Sequence, residues 1–246
     1  MISLRAVGVG AVVLDIEGTT TPISFVSDVL FPFARAHLRE HLAEHQDTPE
    51  LAEVVGLLRE EWMRDRPDEL PPGAGAAPDE SADALAAYIG WLMDHDRKSP
   101  GLKLLQGQIW RRGYEDGTLR GEVFADVPAA FVRWRGAGIE IATYSSGSVL
   151  AQRLLFGLST AGDLARHIGS FFDTGVGAKR EVASYRRIAE RMDYPGRELL
   201  FVSDVAEELT AAATAGWQTA LSVRPGNPPQ QWSGGPMIRS FDEILV

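Results

Sequence analysis

The sequence predicts an α/β protein, a doubly wound parallel sheet with an α-helical domain inserted after its first strand. Two observations carry this. From Ile139 onward, short β-rich runs alternate with helical patterns: "IEIATYSS", "SVLAQRLLFGLS", "SFFDT", "REVASYRRIAERM", "LLFVSD", "AEELTAAATAG" and "QTALSV". That rhythm is the signature of βαβ units on a parallel sheet. One further strand pattern, Val7 to Ile16, stands far ahead of these partners, and the stretch between holds helical patterns only. The expected division is a core of residues 1–23 and 122–246 and a helical cap of residues 24–121.

The cap reads as four helices, Asp28 to His45, Pro49 to Asp65, Ser81 to Asp96 and Leu102 to Tyr114. "DELPPGAGAAPDE" separates the second from the third as an exposed loop, because Pro and Gly punctuate helices. "FADVPAAFVRWRGAG" then opens the second part of the core as a helix, with Asp126 as its N-cap, Pro128 in the first turn and glycines at the exit.

With 246 residues, 45% of them hydrophobic, the chain can bury a full core. It contains no cysteine, which excludes disulfides, thiolate metal sites and a Cys nucleophile. "MISLRAVGVGAVVLD" lacks the pattern of a secretory leader, and no apolar run reaches the roughly 18 residues of a membrane helix. A cytoplasmic protein without a membrane partner is expected. The formal net charge of −10 argues against nucleic-acid binding, which needs clustered Lys and Arg. An anionic substrate must therefore meet a local cation.

In a doubly wound sheet, ligands bind outside the carboxyl ends of the strands. Four strand ends carry polar groups. "VVLDIEGTTTP" ends the first strand in Asp15, with Glu17 two residues on; if the strand continued, both acids would leave on the same side of the sheet. "IATYSSGS" ends in Ser145 and Ser146, "FFDTGVGAK" leads to Lys179, and "LFVSDVAEE" ends in Asp204 with Glu208 four residues on. Each has a plain structural explanation: Ser145, Ser148 and Asp204 as helix caps, Lys179 as a solvated first-turn residue, Glu208 as an acid favoured by a helix dipole. Their order along one chain is the stronger signal.

That order of Asp, Ser, Lys and acid resembles the haloacid dehalogenase superfamily of phosphatases. The pieces "LDIEGTTTPISFV", "LFPF", "LQGQIW", "YSSGSVLAQRLLF", "FDTGVGAK", "SYRRIA" and "VRPGN", scattered through cap and core, resemble more closely the enolase-phosphatases of methionine salvage. Most relatives in the superfamily have Asp where this chain has Glu17. The resemblance implies a monomer that acts on a small phosphorylated diketone, 2,3-diketo-5-methylthiopentyl 1-phosphate, enolising it and removing its phosphate.

The chemistry suits these residue types. Enzymes accelerate phosphate-monoester hydrolysis by up to on the order of 10²¹, and a carboxylate nucleophile such as Asp15 divides the reaction into two easier steps through an aspartyl-phosphate. Glu17 is the candidate to protonate the leaving oxygen and then activate water. Mg²⁺ held by Asp15, Asp204 and a group at Glu17, by resemblance its backbone carbonyl, would offset the crowding of acids. Ser145, Ser146 and Lys179 would hold the phosphate. Two alternatives stand beside this one: another small-molecule phosphatase or phosphomutase of the superfamily, and a receiver-like phospho-accepting module. The length of the chain and the acid after Lys179 argue against the receiver. His37, His41 and His45 share one helical stripe, which is the pattern of a half-buried helix face more often than of a metal site. "GVGAK" lacks the Gly-Lys-Ser/Thr of a phosphate loop, and the glycines of "GVGAVVLD" precede the strand where a dinucleotide fingerprint would follow it. The tryptophans, among them Trp62, Trp91, Trp110 and Trp134, sit on helical patterns and are expected in packing.

Overall fold

The computed structural model describes residues 1–65, 70–71, 81–95, 97 and 99–246. The chain divides into two units, Met1–Ser27 with Arg120–Val246, and Asp28–Leu119. The proline-rich stretch at 68–80 lies outside the described residues apart from Leu70 and Pro71.

In chain order the first unit opens with β1 (Ile2–Ser3), β2 (Ala11–Leu14) and a single turn, α1 (Ile23–Phe25). After a π-helical turn at Val26–Leu30, the helical unit comprises α2 (Phe31–His45), α3 (Pro49–Arg64), α4 (Ala82–Asp94) and α5 (Pro100–Glu115). The side chains of Thr48, Ser81 and Ser99 cap α3, α4 and α5 by accepting from the backbone N–H three residues on. The first unit resumes with α6 (Val127–Gly136), β3 (Glu140–Ser145), α7 (Val149–Gly157), β4 (Ser170–Asp173), α8 (Val182–Met192), β5 (Leu199–Ser203), α9 (Ala206–Thr214), β6 (Gln218–Ser222), β7 (Met237–Ile238) and β8 (Ile244–Leu245).

Six strands form one sheet in the order β4-β3-β2-β5-β6-β7, every pair parallel, while β1 and β8 pair separately. The chain runs outward from β2 through β3 to β4, then returns to the other side of β2 for β5. The direction of winding therefore reverses at β2, and the carboxyl ends of β2 and β5 flank the crevice where such sheets bind ligands.

The sheet is buried on both faces, and its period of two sorts the residues. Ala11, Val13, Ala142, Tyr144, Leu199 and Phe201 share a face with Tyr185 and Ile188 of α8 and Leu209 and Ala212 of α9. There Tyr144, Tyr185, Phe201 and Trp217 pack edge to face or tilted, with centroids 5.3–6.4 Å apart. On the other face α6 and α7 supply Phe131, Trp134 and Phe156, which are fully buried.

The strand expected over Val7 to Ile16 is shorter than its apolar pattern. Residues 4–8 form a turn, with Gly8 at φ 71°, and regular pairing ends at Leu14. Asp126 does stand at the N-cap position of α6, but its side chain does not cap that helix. It is drawn away by a buried arginine, Arg224, described below.

Candidate active site

Asp15 continues the alternation of Ala11 and Val13, so it projects to the face covered by α8 and α9; Ser203 continues Leu199 and Phe201 and projects to the same side. Asp15 extends the ladder by one bond, its N–H donating to the Val202 carbonyl at 2.9 Å. The residue is buried, at 4% exposure, and its carboxylate uses both oxygens. Oδ1 accepts from the Ile16 N–H at 2.7 Å and from Lys179 Nζ at 2.7 Å, and Oδ2 lies 3.0 Å from Ser203 Oγ.

Lys179 is not a surface residue of a helix. It lies ahead of α8 on a loop that the helix itself secures: Tyr185 Oη donates to the Lys179 carbonyl at 2.6 Å, Ser184 Oγ to Ala178 at 2.8 Å and Arg187 Nε to Val176 at 2.6 Å. Tyr144 of β3 adds a bond to the Gly177 carbonyl at 2.9 Å. So held, Nζ sits 2.7 Å from Asp15 and 2.7 Å from Glu208 Oε2. Burial opposes the ammonium charge, but the two carboxylates outweigh it and the pKa stands above the ordinary lysine value.

Glu208 is in the first turn of α9, as the dipole reading anticipated, and it also faces inward to Lys179 and to Ser203 Oγ at 3.0 Å. Asp204 does not cap α9, whose N-cap is Val205. Burial, then the charge of Asp15, push both Asp204 and Glu208 up to about 7. Three carboxylates thus crowd around one lysine, and this excess of negative charge in a donor set of hard oxygens is what a divalent cation would offset. Among the described residues, no three His, Asp or Glu side chains are grouped as a metal site by themselves.

The segment after Asp15 is a tight turn. The N–H groups of Thr19, Thr20 and Thr21 all point to the Ile16 carbonyl at 2.9–3.1 Å, and Gly18 N–H donates to Thr21 at 2.8 Å. Strand geometry has ended, so Glu17 does not follow Asp15 into the buried face; its side chain is exposed at the turn. Gly18 has φ 69°, and a Cβ there would lie 2.4 Å from Asp204 Oδ2, which brings this backbone against Asp204.

Ser145 ends β3, opposite Asp173 in register, and its Oγ accepts from the Gly147 N–H at 3.1 Å, while Ser146 is exposed beside it. The capping role falls to Ser148, which accepts from Ala151 at 3.2 Å. Gln152 ties this loop down, its Nε2 donating to the carbonyls of Gly147 and Phe172 at 3.0 and 2.8 Å.

Ser203 is the site residue the sequence reading passed over. The signal was present in "LLFVSD", since alternation from Phe201 puts Ser203 on Asp15's face; what was absent was the knowledge that β2 and β5 are neighbours. In the helical unit His41 is buried with Nε2 3.2 Å from Gln108, His37 and His45 donate Nδ1 to the carbonyls four residues before them, and burial holds the His41 pKa below its ordinary value. Trp134 is fully buried and Trp110 donates to the Leu30 carbonyl at 2.7 Å, both within packing.

A parallel sheet with an Asp-Lys-acid cluster at its point of reversal defines a class, and residues 9–216 match the model of the haloacid dehalogenase-like hydrolases. The enolase-phosphatase E1 of Synechococcus elongatus is 51% identical over 238 residues, spanning 97% of this chain and 98% of that protein. A Vitis vinifera protein described as a probable bifunctional methylthioribulose-1-phosphate dehydratase/enolase-phosphatase E1 is 46% identical over 95% of this chain and 46% of its own length. Among solved structures, the UTR4 protein of Saccharomyces cerevisiae superposes with a TM-score of 0.77 at 33% identity, over 95% of this chain and 99% of that one. The chain belongs to the enolase-phosphatase family of haloacid dehalogenase-like hydrolases.

Proposed function

We propose that this enzyme converts 2,3-diketo-5-methylthiopentyl 1-phosphate to its acireductone and phosphate, with Asp15 as nucleophile and Glu17 as acid-base group. The observation that carries the proposal is the placement of Lys179, 2.7 Å from both Asp15 and Glu208 in a buried site at the sheet's reversal point. An acidic protein that binds a phosphate ester needs that cation.

Asp15 attacks phosphorus while Glu17 gives its proton to the departing ester oxygen, leaving an aspartyl-phosphate on Asp15. Glu17, now a carboxylate, takes a proton from water as the water attacks phosphorus, and the acyl-phosphate bond breaks to restore Asp15. Lys179, Ser145 and Ser146 hold the phosphate oxygens, with Lys179 offsetting the charge that builds on them. Ser203 fixes the rotation of the Asp15 carboxylate from the neighbouring strand. Asp15, Asp204 and the Glu17 backbone carbonyl would hold Mg²⁺, which supplies electrostatic stabilisation of the phosphate oxygens. Burial, and after it the charge of Asp15, raise Asp204 to about 7, which is consistent with such a cation. The inserted helical unit acts as the cap that selects the substrate. By the same family resemblance the enzyme works as a monomer, and the cytoplasm is the location its sequence patterns lead us to expect.

The test is anaerobic incubation with the diketo phosphate and Mg²⁺, following enol absorbance and phosphate together. Equal accumulation of acireductone and phosphate is expected. Release of phosphate from generic esters with no enol product would assign the chain a different substrate.

A further inference from the structure

The turn that carries Glu17 and Gly18 is held from outside by a loop to which the mechanism gives no part. Three side chains from the end of β6 and the segment that follows it, within "SVRPGN", reach the carbonyls of two consecutive residues. Ser222 Oγ and Asn227 Nδ2 donate to the Gly18 carbonyl at 3.2 and 2.8 Å, and Arg224 Nε donates to Thr19 at 3.1 Å. The next carbonyl, Thr20, receives the Phe124 N–H at 2.9 Å. Because the N–H groups of residues 19–21 converge on Ile16, the carbonyls of residues 18–20 turn outward, where Gly18 meets two of these donors and Thr19 and Thr20 one each.

The donors are themselves built in. Asn227 Nδ2 also points to the Ser222 carbonyl at 3.3 Å, so both of its acceptors are carbonyls and the amide's orientation is settled by its neighbours. Asn227 Oδ1 faces the same spot as Asp204 Oδ2: a Cβ on Gly18 would lie 3.1 Å from the first and 2.4 Å from the second. Arg224 is 5% exposed, lies 4.6 and 4.7 Å from the rings of Phe124 and Phe241, and forks onto Asp126 at 3.0 and 2.9 Å. Asp126 is fixed in turn by the Phe241 N–H at 2.5 Å. A buried guanidinium with this many partners is a rigid anchor.

We infer that the Ser222–Asn227 loop is the positioning element of the cation site, setting the 17–19 backbone against Asp204 so that side-chain and backbone oxygens converge. The inference rests on the reading of Asp15, Glu17 and Asp204 as the cation's ligands. Two hydrogen bonds to one carbonyl distinguish it from general packing, because their loss frees a single peptide unit and leaves the core intact.

The test is thermal unfolding of the full chain in EDTA and across a Mg²⁺ titration, for wild type, Asn227→Ala, Ser222→Ala, the double variant and Asp204→Asn. Binding to the folded state raises the midpoint with ligand concentration, so the titration yields an affinity without turnover. Asn227→Ala is expected to unfold in EDTA within a few degrees of wild type and to bind Mg²⁺ about fivefold more weakly, the effect of about one hydrogen bond. The double variant should be weaker still. Assayed in parallel, kcat at limiting Mg²⁺ should fall and recover with excess Mg²⁺, while KM for a phosphate ester at saturating Mg²⁺ stays unchanged. If Asn227→Ala lowers the EDTA midpoint substantially, Ser222→Ala decides by the same criteria. Wild-type Mg²⁺ affinity in the loop variants, with loss in Asp204→Asn, would reduce the loop to a structural role. Wild-type affinity in Asp204→Asn would remove the ligand reading and overturn the inference with it.

Discussion

Replacing Lys179 by Met keeps most of the side-chain volume and removes the charge that lies 2.7 Å from two buried carboxylates. Breaking a buried pair from one side typically costs about 3–5 kcal/mol, because the remaining charge is stranded. Here there is a partial escape. Glu208, one of the two, and the neighbouring Asp204 already titrate near 7 with the lysine present, so at neutral pH either takes up a proton at little cost. Without Lys179 their pKa values rise further. A carboxylate whose folded pKa lies above its unfolded value destabilises the fold as pH rises through that range, so the variant should lose more stability at pH 8 than at pH 6. At pH 8, in EDTA, a loss near 3 kcal/mol corresponds to roughly 6–12 °C for a chain of this size, and the gap from wild type should narrow toward pH 6. Turnover of a phosphate ester should fall about 10²–10³-fold, the usual loss for one preorganised charge-stabilising group. Calorimetric scans at the two pH values, with steady-state phosphate release, test both parts. An equal stability loss at pH 6 and pH 8, or unchanged kinetics, would show that Lys179 does not balance these acids.

Asp15→Asn should abolish phosphate release with an unchanged circular dichroism spectrum, since the amide is a far poorer nucleophile; residual turnover above about a hundredth of wild type refutes the nucleophile assignment. Glu17→Asp should retain hydrolysis of a simple ester better than conversion of the diketo phosphate, because one methylene of reach is lost where proton transfer requires contact within roughly 2.6–3.2 Å; equal slowing of both reactions argues that Glu17 serves geometry alone. Gly18→Ala should lose activity and Mg²⁺-induced stabilisation together, because its Cβ would lie 2.4 Å from Asp204 Oδ2 and its φ of 69° disfavours a side chain. For Asp126, burial raises the carboxyl pKa, but Arg224 and the Phe241 N–H outweigh it and hold it below the ordinary value. Its stabilisation should therefore be complete above about pH 5 and fade as pH falls through the ordinary carboxylate range and below; urea midpoints of wild type and Asp126→Asn that stay equally separated from pH 6 to pH 3 would contradict this.

The sequence by itself determined the architecture and the chemical cast. Alternation of β-rich and amphipathic segments is a local property, so the βαβ rhythm after Ile139, the helices of residues 28–119 and the strand-end positions of Asp15, Ser145, Lys179 and Asp204 could be read one window at a time. Tertiary structure decided who meets whom. Ser203 and Asp15 are 188 positions apart and touch because β5 pairs with β2. Lys179 was legible as the phosphate's cation, but its pairing with Glu208, which local sequence marks as no more than a dipole-favoured first-turn acid, exists because α8 and α9 pack on one face of the sheet. Asp126 carried every local mark of an N-cap, yet a buried Arg224 offered its carboxylate a charged, forked partner worth more than one backbone N–H. A continuing strand would have put Glu17 on the same side as Asp15, but the ladder stops at Leu14 and three N–H groups fold the chain onto the Ile16 carbonyl. Local patterns encode burial and period, whereas the pairing of charges and the end of a strand depend on partners that only the folded chain supplies.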